Sequence, residues 1–287
     1  MNNIKRYSFP RTPKAALSVL LNKKANAIAV AGGTLVARTL PETAETFLDL
    51  KNLPLNRIKK QGGDLVIGAT ATFDDIDNSK PTRSWAGGVL SRAAARCSSQ
   101  LIRNMATIGG NIARPHSFNI FPAVLLGLDA EVKLLTRSGA KTCPFSGLYS
   151  PGIAPGRDSI ILEVIIPART KNWVCRFEKF AKTEASWEAY LTLFMGVKIS
   201  NGSICAARVI VGALSPKPFR AALAEQVLTG ARPNPGVIEE ACLELARGLD
   251  AARPHKAEEF KKEVAASLLK RFLESLGCSG GRKPARM

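Results

Sequence analysis

Apolar positions recur along this chain with two different periods, and the period changes mark its elements. In "PKAALSVLLNKK", Ala15, Leu17, Leu20 and Leu21 fall at helical spacing, and Pro13 stands where a first helical turn accepts it. That stretch predicts a helix. "AIAVAGGTLV" reads as a short strand running into a glycine turn, "TFLDLKNLP" as a second strand, and "GGDLVIGATATF" as a third with glycines marking the turn ahead of it. "WAGGVLSRAAARCSSQLIR" predicts one helix and "FPAVLLGLDA" a short buried one. "EVKLLTRSGAK" reads as a hairpin arm, and "SIILEVIIPA" as a strand closed by Pro167. Among these lies "ATIGGNIARPHSF", residues 106–118, a strand-like run interrupted by Gly109-Gly110. Such a pair weakens a strand unless something must approach the bare backbone.

Beyond Pro167 the pattern lengthens. "WEAYLTLFMGVKISNGSICAARVIVGAL" predicts two long strands joined at Asn201-Gly202, a dipeptide suited to a two-residue hairpin turn. "SPKPFRAALAEQVLTG" opens with prolines and continues as a helix that stops at Gly230. "PGVIEEACLELARGL" and "AEEFKKEVAASLLKRFLESLG" are two further amphipathic helices. Mixed strands and helices, then a hairpin, then helices alone predict an α+β chain of two domains joined near residues 168–175. Residues 279–287 read as a flexible tail.

Composition narrows the function classes. The chain has 287 residues with 46% hydrophobic content, enough for a large folded core. Its formal net charge is +18, but the basic residues form no arginine-rich arm, and no zinc-finger spacing or basic heptad accompanies them. Nucleic-acid binding is therefore not the reading; an acidic partner or a phosphate-bearing ligand is. The basic residues before Glu42 resemble a targeting presequence, yet they fall on the helix and strand already assigned. No apolar run reaches the roughly 20 residues of a membrane span. The six cysteines are scattered singly, without the close pairs that iron–sulfur or zinc ligation needs, and fit a reducing, cytoplasmic setting. With only His116 and His255 there is no multi-histidine metal site, and no metal ligand set is assigned.

Two glycine pairs remain, Gly32-Gly33 in "VAGGTLV" and Gly109-Gly110 in "TIGGN". Each follows an apolar run and precedes a hydrogen-bonding residue. Consecutive bare amides in a tight turn form a concave anion site, and a pyrophosphate fits between two such turns. Neither pair matches the dinucleotide fingerprint of three spaced glycines or the P-loop. Arg114 could add positive charge to such a site, and His116 is either a contact or an ordinary loop histidine.

Taken together, "AGGT", "DLVIGATAT", "IRNMATIGGNI", "PAVLLGLDAEVKLL", "ILEVIIP", "GALSPKPFRAALAE" and "EFKKEVAASLLKRFL" resemble the flavin-binding (medium) subunit of the molybdenum hydroxylases. This is the family of xanthine dehydrogenase and carbon monoxide dehydrogenase, and the resemblance spans residues 7 to about 275. It implies an FAD-binding domain of vanillyl-alcohol-oxidase (PCMH) type over residues 1–170, in subdomains of about 1–56 and 57–170. A C-terminal domain of antiparallel sheet and helix bundle over 171–278 would follow. It implies that Ala29, Val30, Ala31, Gly32, Gly33, Thr34, Leu35 and Val36 form one loop around the FAD diphosphate. Thr107, Ile108, Gly109, Gly110 and Asn111 would form the other, with Ile161 near the ring system and a lysine, Lys182 or Lys179, beside the flavin. The implied partners are a molybdopterin-binding large subunit and a small subunit with two 2Fe–2S clusters, in a heterotrimer or a dimer of heterotrimers. Electrons would leave to NAD, oxygen, a quinone or another carrier, and no side chain of this chain would be catalytic.

Three positions depart from the family pattern. Leu35 stands where an acid often follows the first glycine pair, and Ile120, beside Asn119, stands where an Asp is usual. A common Asp is also missing from "TEASWEAYLTL". Each lost charged hydrogen bond would weaken cofactor binding by about 1.5–3 kcal/mol. Two other readings accompany the main one: a structural subunit of such a complex that has lost flavin, and a stand-alone flavin oxidoreductase of the same superfamily.

Overall fold

A computed structural model describes residues 4–36, 38–252 and 259–277. His255 and Cys278, and the tail expected over 279–287, lie outside the described residues. Three sheets organise the described residues. The first is parallel, built from β1 (Arg6–Ser8), β2 (Ala27–Val30) and β3 (Thr46–Asp49) in the order β1-β3-β2. Helix α1 (Pro13–Leu21) packs on it through Ala16, Leu17 and Leu20, which join Leu48, Leu53 and Ile160 in one apolar cluster. The expected face is shifted: Ala15 is exposed and Ala16 is fully buried, because Thr12 caps the helix by accepting the Ala15 N–H and so sets its rotation.

The second sheet is antiparallel, ordered β4-β5-β8-β6-β7. Its strands are β4 (Ile58–Gln61), β5 (Asp64–Gly68), β6 (Glu131–Thr136), β7 (Gly139–Pro144) and β8 (Ile160–Ile166). Between β5 and β6 the chain forms six short helices. They are α2 (Phe73–Asn78), α3 (Lys80–Ser84), α4 (Val89–Ala95), α5 (Gln100–Arg103), α6 (Ile108–Ile112) and α7 (Phe121–Gly127). The single helix predicted over residues 85–103 is therefore broken. Ala86, Gly87 and Gly88 have φ values of 47°, 66° and 81°, which no helix tolerates. The Ala86 N–H is drawn to Lys171 O at 2.8 Å, and the buried Trp85 indole donates to Thr170 Oγ1 at 3.2 Å. A second break follows at Ser98, and Ser99 caps α5.

The third sheet, antiparallel in the order β12-β11-β10-β9, consists of β9 (Val174–Phe180), β10 (Leu191–Ser200), β11 (Ser203–Gly212) and β12 (Phe219–Arg220). The turn at Asn201-Gly202 has both residues at positive φ, 51° and 77°, as a two-residue hairpin requires. Leu191, Leu193, Met195 and Val197 of β10 share one apolar cluster with residues of α8 (Ala222–Leu228), α9 (Pro235–Ala252) and α10 (Glu259–Gly277), α10 lying against β10 and α8 against β11. The opposite face of β10 sends Phe194 into the core that holds Phe73, Trp85 and Phe121. A strand buried on both faces reads as a continuous apolar run, as "LTLFMGV" does. A Cβ at Gly127 of α7 would lie 2.2 Å from the Phe194 ring, so that glycine lets α7 seat directly on β10.

Candidate functional site

A cleft opens between the first sheet and the short helices. One wall is the loop after β2, where Ala31, Gly32, Gly33 and Thr34 follow Ile28 and Ala29, with Leu35 and Val36 beyond. The opposite wall is the start of α6, with Thr107, Gly109, Gly110 and Asn111. Phe73, Ile160 and Ile161, all buried, line its depth, and the exposed Arg38, Arg114 and Trp187 line its mouth. Two loops distant in sequence thus face each other, as the glycine pairs imply.

The two walls differ in what they offer. Among the described residues, no protein acceptor takes the N–H groups of Ala31, Gly32, Gly33 or Thr34. Four successive free amides on a cleft wall are an anion cradle. On the second wall only the Thr107 N–H lacks a protein acceptor among the described residues, and the four amides that follow are all engaged, which corrects the expectation of two equivalent amide turns. Ile108 N–H donates to Ala71 O at 3.0 Å and Gly109 N–H to Ala69 O at 2.9 Å. Gly110 N–H donates to Thr107 Oγ1 at 3.1 Å, and Asn111 N–H to Thr107 O at 2.9 Å. The stretch read as strand-like is one turn of helix because Thr107 caps it.

The glycines also divide by role. A Cβ at Gly32 would lie 1.8 Å from Met105 O, and one at Gly109 would lie 2.6 Å from Ala69 O. Those two glycines let backbones touch. Gly33 has φ +70°, and Gly110 is exposed, where an added Cβ would meet Thr107 Oγ1 at 3.0 Å and Ala31 Cβ at 4.0 Å. These two leave room along the cleft.

Asn111 works inside the protein. Its Oδ1 accepts the Phe121 N–H at 3.2 Å at the start of α7, and its Nδ2 donates to Asn119 Oδ1 at 3.3 Å. Asn119 in turn donates to Arg114 O at 2.8 Å and lines the cleft. Ile120 is 3% exposed and belongs to the apolar core, so the side chain on the cleft wall at this point is that of Asn119. Val30 and Ile108 are likewise buried in apolar clusters beneath the loops and do not line the cleft. Leu35 does line it.

The lysines part company. Lys182 is exposed and does not line the cleft. Lys179, half-buried at the end of β9, donates to Arg96 O at 3.1 Å, to Glu184 O at 3.3 Å and to Ser186 O. Burial holds its ammonium below the usual lysine range. It ties down the β9–β10 connection that carries Trp187. The Arg38 guanidinium lies 5.0 Å from the Trp187 ring centroid, and Trp187 meets Phe118 edge-on at 4.7 Å. Phe118 packs on His116 at 4.8 Å, and His116 Nδ1 accepts the Phe118 N–H, so this histidine is spent on shaping the loop.

Sequence reasoning missed Arg38, Phe118, Trp187, Thr70 and Cys97, all of which line the cleft. Thr70 and Phe118 fall within stretches already singled out, but nothing in those patterns marks them; the five arrive from five separate segments, and only tertiary packing joins them. Burial pushes the Cys97 thiol up to about 11, so it stays protonated at neutral pH and is no nucleophile. No Asp or Glu lines the cleft among the described residues, while two arginines do. Free amides and cations without a carboxylate suit a phosphate-bearing ligand, and the apolar depth suits a ring system. Thr70 Oγ1, buried in this wall without a hydrogen-bond partner, is a further sign that something belongs here. The residues present therefore fit a flavin dinucleotide. Among the described residues no cluster could hold a metal ion, and no helix is long and apolar enough to cross a membrane.

Comparison with known proteins agrees with this geometry. Residues 2–169 match the family described as the FAD binding domain in molybdopterin dehydrogenase, and residues 177–276 match the CO dehydrogenase flavoprotein C-terminal domain. The chain is 26% identical to the nicotine 6-hydroxylase medium subunit of Paenarthrobacter nicotinovorans, over 95% of this chain and 97% of that one. It is 28% identical to the nicotinate dehydrogenase FAD-subunit of Eubacterium barkeri, over 85% of this chain and 86% of that one. In fold it resembles a chain of carbon monoxide dehydrogenase from Hydrogenophaga pseudoflava, with TM-score 0.86 at 22% identity, covering 97% of this chain and 99% of that chain. A cradle of free amides on one wall, a capped helix turn on the other, and a family match across more than half the sequence lead to one conclusion: this chain belongs to the family of FAD-binding domains of molybdopterin dehydrogenases.

Proposed function

We propose that the chain is the FAD-carrying, electron-transferring subunit of a molybdenum-containing hydroxylase or dehydrogenase complex. The observation that carries this reading is the cleft: four unpartnered amides at residues 31–34, cationic side chains at the mouth, no carboxylate, and an apolar depth. When bound, FAD takes up and passes on electrons singly or in pairs, while the protein binds and orients it. Residues 31–34 would hold the diphosphate through their N–H groups, with Arg38 and Arg114 balancing its charge. Phe73, Ile160 and Ile161 would keep water from the ring system. The capped turn at 107–111 would act mainly as a rigid wall, with the Thr107 N–H its one uncommitted main-chain donor. Lys179, held in place, would position the Trp187 segment, and Lys182 would remain a solvated charge.

Relatives named medium subunit or medium chain support placement in a larger assembly. The proposed partners are a molybdopterin-binding large subunit and a 2Fe–2S small subunit, in a heterotrimer or a dimer of heterotrimers. The electron acceptor is NAD, oxygen, a quinone or another carrier. A cytoplasmic location fits five described cysteines that are all free thiols. We divide the chain at residues 168–175 into an FAD-binding domain and a C-terminal domain, a reading supported by two family matches that end at 169 and begin at 177.

The cradle is tested by titrating the flavin-stripped chain with FAD and with riboflavin. Loss of every phosphate contact predicts at least about a hundredfold weaker riboflavin binding. Equal affinity for the two would contradict a diphosphate held by residues 31–34.

A further inference from the structure

Three buried side-chain polar atoms among the described residues have no hydrogen-bond partner: Thr70 Oγ1, Arg103 Nε and Thr192 Oγ1. The remaining guanidinium nitrogens of Arg103 are bonded to Ser98 O and Gln100 Oε1, and Thr192 lies under Gly212 in the third sheet, away from the cleft. Thr70 alone of the three both lacks any side-chain bond and lines the cleft. It is 9% exposed.

Its position is fixed from several sides. The Thr70 N–H donates to Leu55 O at 2.9 Å. On one side of it, Ala69 N–H donates to Leu162 O at 3.0 Å and Ala69 O accepts the Gly109 N–H. On the other, Ala71 N–H donates to Gly68 O, and Ala71 O accepts the Ile108 N–H, each at 3.0 Å. This main chain cannot swing to find the hydroxyl a partner. Thr72 Oγ1 accepts the Asp75 N–H, Thr107 Oγ1 accepts the Gly110 N–H, and Ser159 Oγ donates to Asp158; none of them bonds to Thr70. Leu55, Phe73, Ala106 and Ile161 line the same cleft and offer it no side-chain polar atom. A hydroxyl buried without a partner destabilises the empty protein, and an isosteric methyl would not. A single hydroxyl on an otherwise apolar wall is the arrangement that fixes the orientation of a bound ring system.

We propose that Thr70 Oγ1 forms a hydrogen bond to the bound FAD and helps to orient it, a positioning role that rests on the FAD reading above. The protein keeps an unsatisfied group in the empty state and satisfies it on binding. The role therefore predicts opposite signs for stability and affinity, which a merely structural threonine would not show.

The test compares full-length wild type, Thr70→Val and Thr70→Ser, each stripped of flavin, by thermal melting and by fluorescence titration with FAD. Thr70→Val should melt at or above the wild-type temperature yet bind FAD about tenfold more weakly. Thr70→Ser, which keeps the hydroxyl, should bind within about threefold of wild type. A Thr70→Val chain that binds FAD as tightly as wild type would overturn the inference, as would one whose empty form melts well below wild type or fails to fold. If the wild-type chain itself takes up no FAD, the cofactor reading falls and this contact falls with it.

Discussion

Gly32 and Gly33 are neighbours, and Gly109 and Gly110 are neighbours, yet within each pair the two glycines answer different demands. Gly32 and Gly109 face backbone: added methyls would sit 1.8 Å from Met105 O and 2.6 Å from Ala69 O. Gly110 is exposed, and an added Cβ there would meet only side-chain atoms, Thr107 Oγ1 at 3.0 Å and Ala31 Cβ at 4.0 Å. Gly32→Ala should therefore cost about 3 kcal/mol or more of folding stability, read by denaturant unfolding, because its methyl would overlap the Met105 carbonyl, which is main chain and not the end of a flexible side chain. Gly110→Val should melt near the wild-type temperature and lose FAD, read by flavin content after purification, because its branched side chain enters the cleft. Unchanged flavin content in that variant would remove this turn from the cofactor site. The glycine pairs were legible in the sequence as a site, but their division of labour was not. Which glycine meets backbone and which meets ligand depends on the approach of Met105 and Ala69, residues far away in the chain or in a different element. Thr70 was hidden for the same reason, since a threonine after a strand looks alike whether or not its hydroxyl finds a partner.

Long elements were legible and short ones were not. The β10–β11 hairpin, α9 and α10 carry strong periodicity and clear turn residues, and they form where predicted. Strand β4, "IKKQ", has only one half-buried apolar residue, so nothing in its pattern announces a strand; it exists because it pairs with β5. The broken helix at 85–103 looks continuous in composition, and only the docking of Trp85 and Ala86 on residues 170 and 171 shows the kink. Helix α8 illustrates how a short element is held. Glu225, 6% exposed, accepts the Val209 N–H of β11 at 3.0 Å and pairs with Arg220 of β12. The carboxylate in turn holds the Arg220 guanidinium above its usual range. Glu225→Ala leaves a buried N–H without a partner and should cost about 3 kcal/mol, measured by chemical denaturation. A loss under about 0.5 kcal/mol would mean that water replaces the carboxylate there.

At the scale of the whole molecule, burial governs the thiols. Cys97 is pushed up to about 11 and Cys175 to about 12, both mainly by desolvation. The folded chain thus keeps protons that an unfolded chain releases near pH 8.5. That contribution to stability is complete below the unfolded value and is lost as pH rises through 11 to 12. At pH 8, alkylation followed by peptide mapping should label the exposed Cys205 first, the partly buried Cys97 more slowly, and Cys175 only in denaturant. Labelling of Cys175 without denaturant would mean that the core beneath the cleft opens far more readily than its burial implies. The seating of Phe194 on Gly127 makes the third sheet continuous with the core under the cleft. That contact joins segments nearly seventy residues apart and has no local signature in the sequence.

The central claim is that this chain carries FAD in the cleft between residues 31–36 and 107–111. The most direct measurement is the flavin released by acid denaturation of the purified protein, or of its native complex, quantified against protein. The account predicts one FAD per chain, with the intact dinucleotide rather than FMN or riboflavin recovered. A native complex that releases no flavin would contradict it.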